Sequence, residues 1–161
     1  MVKIVFNSSP LIFLSRLGFL DRFLNATDNF YLPKVVAEEI GFKTDDAFRE
    51  IQNEIDAGKL TVRSIQLTGL ANGLNQRLGK GESEAIALGI ELETDYIILD
   101  DFAARKEAIR LGLKVKGTLA IVKKLRDDRQ ITVTSLEQLY DDLQKIDFRV
   151  KRSLFDAIFG E

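Results

Sequence analysis

The apolar positions of the chain form short continuous runs that alternate with stripes of helical period. VKIVF (residues 2–6) is an apolar, β-branched run that reads as a strand buried on most sides, and it stops at Asn7. Ser9 followed by Pro10 has the form of an N-cap and first-turn pair. LIFLSRLGFLDRFL behind it carries helical spacing broken at Gly18, which predicts two short helices. NFYL (29–32) reads as a second strand, and Pro33 then opens a helix whose apolar positions 35, 36 and 40 share a face. Thr44 is the expected cap of a longer helix with the stripe Phe48, Ile51 and Ile55, and TVRSI (61–65) alternates as a third strand. The stretch 69–79 contains three glycines and shows no clear period. Beyond Gly81 the pattern becomes regular: ESEAIALGIEL is a helix, DYIIL (95–99) a buried strand, AARKEAIRLG a helix and LKV a short strand. TLAIVKKLRDD follows Gly117 as another helix beginning at Thr118, and Ser135 caps LEQLYDDLQKI.

Strands that alternate with helices predict an α/β fold with a mainly parallel sheet covered on both faces, because parallel strands need helical crossovers. The chain of 161 residues has the length of one domain, and no linker, repeat or low-complexity tract divides residues 1–161. Residues 146–161 predict a C-terminal helix with Val150, Leu154, Phe155, Ile158 and Phe159 on one stripe, docked on the core or placed at a dimer or partner interface. No apolar run approaches the roughly 20 residues that span a bilayer, and MVKIVFNSSP lacks the pattern of a secretory leader, so the expected location is the cytoplasm, away from membranes.

Composition narrows the chemistry sharply. The chain has no Cys and no His, which excludes disulfides, thiolate or imidazole metal sites, and Cys- or His-based catalysis. A general base or metal ligand must therefore come from the 25 Asp and Glu residues, with Lys, Tyr, Ser and Thr in support. The formal charge of −2 gives no overall basic field, so nucleic acid would need a local basic patch.

In an open parallel sheet, ligands bind beyond the carboxyl ends of the strands. Asn7 follows the first strand, and Asp100 and Asp101 follow the strand at 95–99. Glu38 and Glu39 lie on the helix after the second strand, and Glu82 and Glu84 near the start of the helix that leads into DYIIL. Each has a plain structural use as well: Glu82 and Glu84 complement a helix N-terminus, and Asp100 or Asp101 can cap the next helix. Convergence of such groups would be costly without a cation. Two like charges 4 Å apart repel by about 4 kcal/mol at an effective dielectric near 20. A cluster built only from oxygen donors favours Mg²⁺ or Mn²⁺.

NSSPLIFLSRLG, YLPKVVAEEI and KGESEAIALGIELETDYIILDDFAARKEAIRLGLKVKGTLAIV, taken in order, resemble the successive blocks of a PIN domain, in a little-characterised prokaryotic subgroup of that family. The resemblance runs over roughly residues 1 to 145. It implies a three-layer α/β/α fold and a metal-dependent endoribonuclease, as in VapC-type toxins of toxin–antitoxin systems. Carried over, the family's first Asp falls on Asn7 and its helix Glu on Glu39, preferred to Glu38 because it directly precedes Ile40. The third acidic position falls on Glu84, with Glu82 as the alternative, and the last on Asp101 or Asp100. Asn7 departs from the pattern, since an amide oxygen can ligate but brings no charge. One occupied Mg²⁺ or Mn²⁺ site then fits better than two, and a weakly active or inactive module that binds RNA or protein is the alternative reading.

Within that resemblance, Ser8, Ser9, Thr118 and Arg105 are candidates to orient water or phosphate. Lys106, Arg110, Lys114, Lys116, Lys123 and Lys124 supply cations along the same part of the chain, either for a phosphate backbone or as an ordinary solvated face. The segment GKGES (79–83) lacks the spacing of a nucleotide-binding phosphate loop. The partners that follow are RNA, a small antitoxin protein and a second copy of the chain in a homodimer.

Overall fold

A computed structural model describes residues 1–41 and 45–160. Five parallel strands, β1 (Lys3–Phe6), β2 (Asn29–Pro33), β3 (Leu60–Arg63), β4 (Tyr96–Ile98) and β5 (Val115–Lys116), form one sheet in the order β3-β2-β1-β4-β5. Ten helices are described around it, so the architecture is the three-layer α/β/α arrangement that the alternating pattern implies. They are α1 (Ser8–Leu17), α2 (Leu20–Leu24), α3 (Lys34–Gly41), α4 (Asp46–Asp56), α5 (Thr68–Leu74), α6 (Lys80–Glu91), α7 (Phe102–Arg110), α8 (Thr118–Asp127), α9 (Leu136–Lys145) and α10 (Arg152–Phe159).

The pleat divides the core in two. Ile4 and Phe6 of β1, with Tyr96 and Ile98 of β4, face one cluster that includes Leu11, Leu14, Ile121 and Phe155. Val5 and Ile97 face the other, with Ile86, Leu88, Ala104 and Ala108. Successive residues point to opposite faces, so both central strands must be apolar throughout, which is why they read as unbroken apolar runs. The first layer holds the larger aromatics: Phe6 meets Phe23 edge-on at 5.8 Å between ring centroids.

Several boundaries differ from the sequence expectation. Ser9 is not an N-cap: α1 starts at Ser8, Asn7 occupies the cap position without a side-chain cap bond, and Ser9 is exposed within the first turn. Pro33 ends β2 instead of opening α3, a place where its missing N–H falls at the end of a ladder. The glycine-containing stretch after residue 68 forms α5, whose Ala71 and Leu74 are buried, so packing overrides weak propensity. Thr44 lies outside the described residues; Asp45 caps α4, its Oδ1 accepting from the Phe48 amide at 3.0 Å. Ser135 caps α9 as expected, accepting from the Gln138 amide at 3.2 Å.

The tail packs on α8 and α9 through Phe155 and Phe159, both buried. Leu154 leaves that stripe and is 55% exposed. Tyr140 of α9 donates its hydroxyl to the Val150 carbonyl at 2.9 Å, and Arg152 joins Glu137 to Asp156. Among the described residues, no helix is long and apolar enough to cross a membrane.

Candidate active site

The strand order places β1 between β2 and β4, so the connection from β1 to β2 and the connection from β4 to β5 run in opposite directions across the sheet. The crevice beyond the carboxyl ends of β1 and β4 is the topological switch point of the sheet. Phe6 pairs with Ile98, and the Asn7 amide donates to the Ile98 carbonyl at 3.3 Å, so Asn7 and the Leu99–Asp101 segment leave the sheet side by side.

Asn7 is buried, at 4% exposure, and continues the pleat on the face of Val5, toward α6. Its Oδ1 lies 3.3 Å from the point where a Cβ on Gly81 would sit. Glu39 Oε1, from α3, lies well inside contact distance of the same point. Only glycine at position 81 lets the amide and the carboxylate approach the first turn of α6 together. Glu39 is exposed despite this contact, as is Glu38 beside it on α3. Glu84 follows Gly81 by three residues, which puts it one turn along the same face of α6, half-buried.

A second acid pair lies at the other edge of the α6 terminus. Glu82 closes a capping box, its Oε2 accepting from the Gly79 amide at 3.2 Å. Burial holds its carboxyl above the ordinary value, and the nearby negative charge of Asp101 pushes it the same way. Asp101 is exposed and caps α7, accepting from the Ala104 amide through Oδ2 at 2.9 Å.

Asp100 turns toward the start of α8. Its Oδ1 accepts from the Thr118 amide at 2.7 Å and its Oδ2 from the Thr118 hydroxyl at 2.6 Å. Gly117 again makes room, because a Cβ there would meet Arg105 Nη1 at 2.5 Å and Asp100 Oδ1 at 3.1 Å. Burial raises the Asp100 carboxyl, opposed by the two Thr118 hydrogen bonds and the Arg105 charge. Arg105 also reaches the Leu99 carbonyl at 3.4 Å.

The structure thus brings Asn7 together with Glu39, Glu82 with Asp101, and Asp100 with Thr118 and Arg105. It does not gather them into one carboxylate cluster: among the described residues, no three acidic side chains form a group that could hold a metal ion. Asn7 Oδ1 and Glu39 Oε1 still meet at one cradle that any larger residue at position 81 would fill. This oxygen-only pair suits a hard cation such as Mg²⁺ or Mn²⁺, which binds through one or two protein groups and retains water. Asp100 accepts one hydrogen bond from Thr118 on each of its oxygens, at the start of α8. Ser8, half-buried, and Ser9, exposed, occupy the first turn of α1 next to Asn7.

Two features escaped the sequence reading. One is the separation of Asp100 from Asp101, which share every local signal. The other is Gly81, whose only sequence mark is its place one residue before Glu82 in a helix start.

No curated protein matches the chain. A family model described as a PIN domain matches residues 3–161. With nearly the whole chain matched and the three-layer parallel fold in place, the protein belongs to the PIN-domain family.

Proposed function

We propose that this protein is an endoribonuclease of the PIN type, which hydrolyses RNA phosphodiesters with one Mg²⁺ or Mn²⁺ ion. The family has a nuclease-type fold and generally uses divalent metal ions. The observation that carries the reading is the meeting of Asn7 Oδ1 and Glu39 Oε1 beside Gly81, at the switch point of the sheet. Asn7 and Glu39 would hold the ion, with Glu84 and Asp101 the nearest further acids on the two sides of the α6 terminus. A divalent cation bound there supplies an activated water and offsets charge on the phosphate.

The chain's own groups account for the rest of the reading. Asp100 acts through Arg105 and Thr118: it ties the start of α8 to the end of β4 and holds the rim of the crevice in shape. Thr118, expected as a phosphate or water ligand, spends both its amide and its hydroxyl on Asp100. In the toxin–antitoxin form of this proposal, a small protein partner would cover the same crevice.

The test is cleavage of a single-stranded RNA by the purified protein with Mn²⁺ or with EDTA, alongside Glu39→Gln. Metal-dependent cleavage that Glu39→Gln abolishes supports the reading, and equal cleavage by both proteins rejects it. A second reading, an RNA- or protein-binding module with little catalysis, is favoured by one finding: among the described residues, the acids do not form a three-carboxylate group. RNA binding without metal-dependent cleavage would select it.

A further inference from the structure

Among the described residues, Phe102 is the most exposed large apolar side chain after the N-terminal methionine, at 75%. It is the first residue of α7 and directly follows Asp101 at the rim of the crevice. A single exposed aromatic is unremarkable by itself, but the surroundings of this one are specific. The ring borders a surface hollow of about 280 Å³ lined by Arg77, Leu78, Ala103, Lys106 and Glu107. Lys106 Nζ lies over the Phe102 ring, 5.7 Å from its centroid, and makes no ion pair among the described residues. Arg77 and Arg110 share one acid, Glu107, and the side chains of both arginines are 63% exposed. The hollow is therefore apolar at its wall and cationic at its edge.

That combination matches one class of partner. An aromatic face beside cations accepts an unstacked base and its neighbouring phosphates, whereas a base held in a duplex cannot reach it. We propose that Phe102 is the platform on which an unpaired base of single-stranded RNA stacks, with Lys106 and Arg77 meeting the flanking phosphates. The inference rests on RNA being the substrate and adds how the strand is held: Phe102 is a positioning residue that sets the strand beside Asp101 and Glu82. Lys106 and Arg77 also complement the site, since cations next to the crevice offset the repulsion between the acids and the phosphate backbone.

The test is fluorescence anisotropy with a labelled mixed-sequence single-stranded RNA and its duplex, in EDTA so that no cleavage intervenes. Phe102→Ala should weaken single-strand binding about tenfold or more, Phe102→Trp should restore it, and duplex binding should be unchanged by either. Lys106→Ala should reduce the salt slope of binding by about one phosphate contact. Leu154→Ala, an exposed apolar residue on α10, should match the parent, and unchanged melting temperatures would exclude misfolding as the cause.

Phe102→Ala binding single-stranded RNA as tightly as the parent would overturn the inference and leave the ribonuclease reading standing. A parent protein that binds no RNA in either form would overturn both. A change of oligomeric state in Phe102→Ala at unaltered RNA affinity would make the patch a protein contact and likewise overturn the inference.

Discussion

At the start of α8 an acid is enclosed, while at the start of α6 an acid is held at the surface. Asp100 receives two hydrogen bonds from Thr118 and the charge of Arg105, and Gly117 lets all three groups close around it. Glu39 approaches Gly81 beside the amide oxygen of Asn7, and it stays exposed. Both corners use a glycine for close approach to a helix N-terminus, where negative charge is favoured. They differ in exposure: Asp100 is half-buried, and Glu39 is exposed beside the buried amide of Asn7.

The largest effect should separate the two corners by function. Glu39→Gln should lower metal-dependent RNA cleavage by about 100-fold or more, because a bound ion supplies several kcal/mol of charge stabilisation. The same variant should melt within a degree or two of the parent. Loss of fold in Glu39→Gln would show that this corner is a joint as well.

Next in size is the enclosed acid. Asp100→Ala should cost about 3 kcal/mol of stability, since it strips two charge-assisted hydrogen bonds, leaves the Thr118 amide and hydroxyl without their acceptor and removes the charge facing Arg105. Asp100→Asn should cost only about 1 kcal/mol, because the Thr118 hydroxyl can rotate to accept from the new amide. Urea denaturation measures both. Equal costs for the two variants would mean that the carboxylate charge, not its hydrogen bonds, holds the joint.

The glycines sharpen the comparison further. Gly81→Ala places a methyl group against the end of the Glu39 side chain, which can swing away, while the helix gains up to about 1 kcal/mol in propensity. Stability should therefore hold or rise as Mn²⁺ binding weakens. Gly117→Ala pushes on Arg105 and Asp100 and should lower stability instead. Thermal melts paired with metal titrations would reveal opposite signs, and matching signs would collapse the distinction.

The smallest effect concerns pH. Glu82 is held above its ordinary value of 4.5 by burial and then by Asp101. The fold therefore prefers its protonated form: that contribution is fully present below pH 4.5 and is lost as pH rises through the raised value. Glu82→Gln removes the titration while keeping an acceptor for the Gly79 amide. Its melting temperature relative to the parent should be nearest zero in acid and move in its favour toward neutral pH. The reverse slope would mean that the hydrogen bond from the Gly79 amide outweighs burial and the Asp101 charge at Glu82.

Much of this frame is readable in the chain because parallel strands buried on two faces must be apolar throughout. VKIVF and DYIIL announce β1 and β4, and their polar followers Asn7 and Asp100 mark the rim. The α5 helix stayed hidden because Gly69 and Gly73 lower its propensity, and only the burial of Ala71 and Leu74 reveals it. Asp100 and Asp101 were indistinguishable because neighbours share one local context. Their divergence is set by what each meets, Thr118 for one and the first turn of α7 for the other. The Glu39–Gly81 approach links residues 42 positions apart, so no spacing rule could display it.

The central claim is that Asn7 and Glu39 together form a cation site, and Asn7→Asp tests it most directly. The change is nearly isosteric and adds one charge at the cradle. Attraction to a divalent ion gains on the order of a few kcal/mol, and repulsion from Glu39 in the metal-free protein removes part of that gain. Calorimetric titration with Mn²⁺ should show tighter binding by Asn7→Asp, on the order of tenfold, together with a lower melting temperature without metal. Unchanged Mn²⁺ affinity in Asn7→Asp, with an unchanged metal-free melt, would contradict the account.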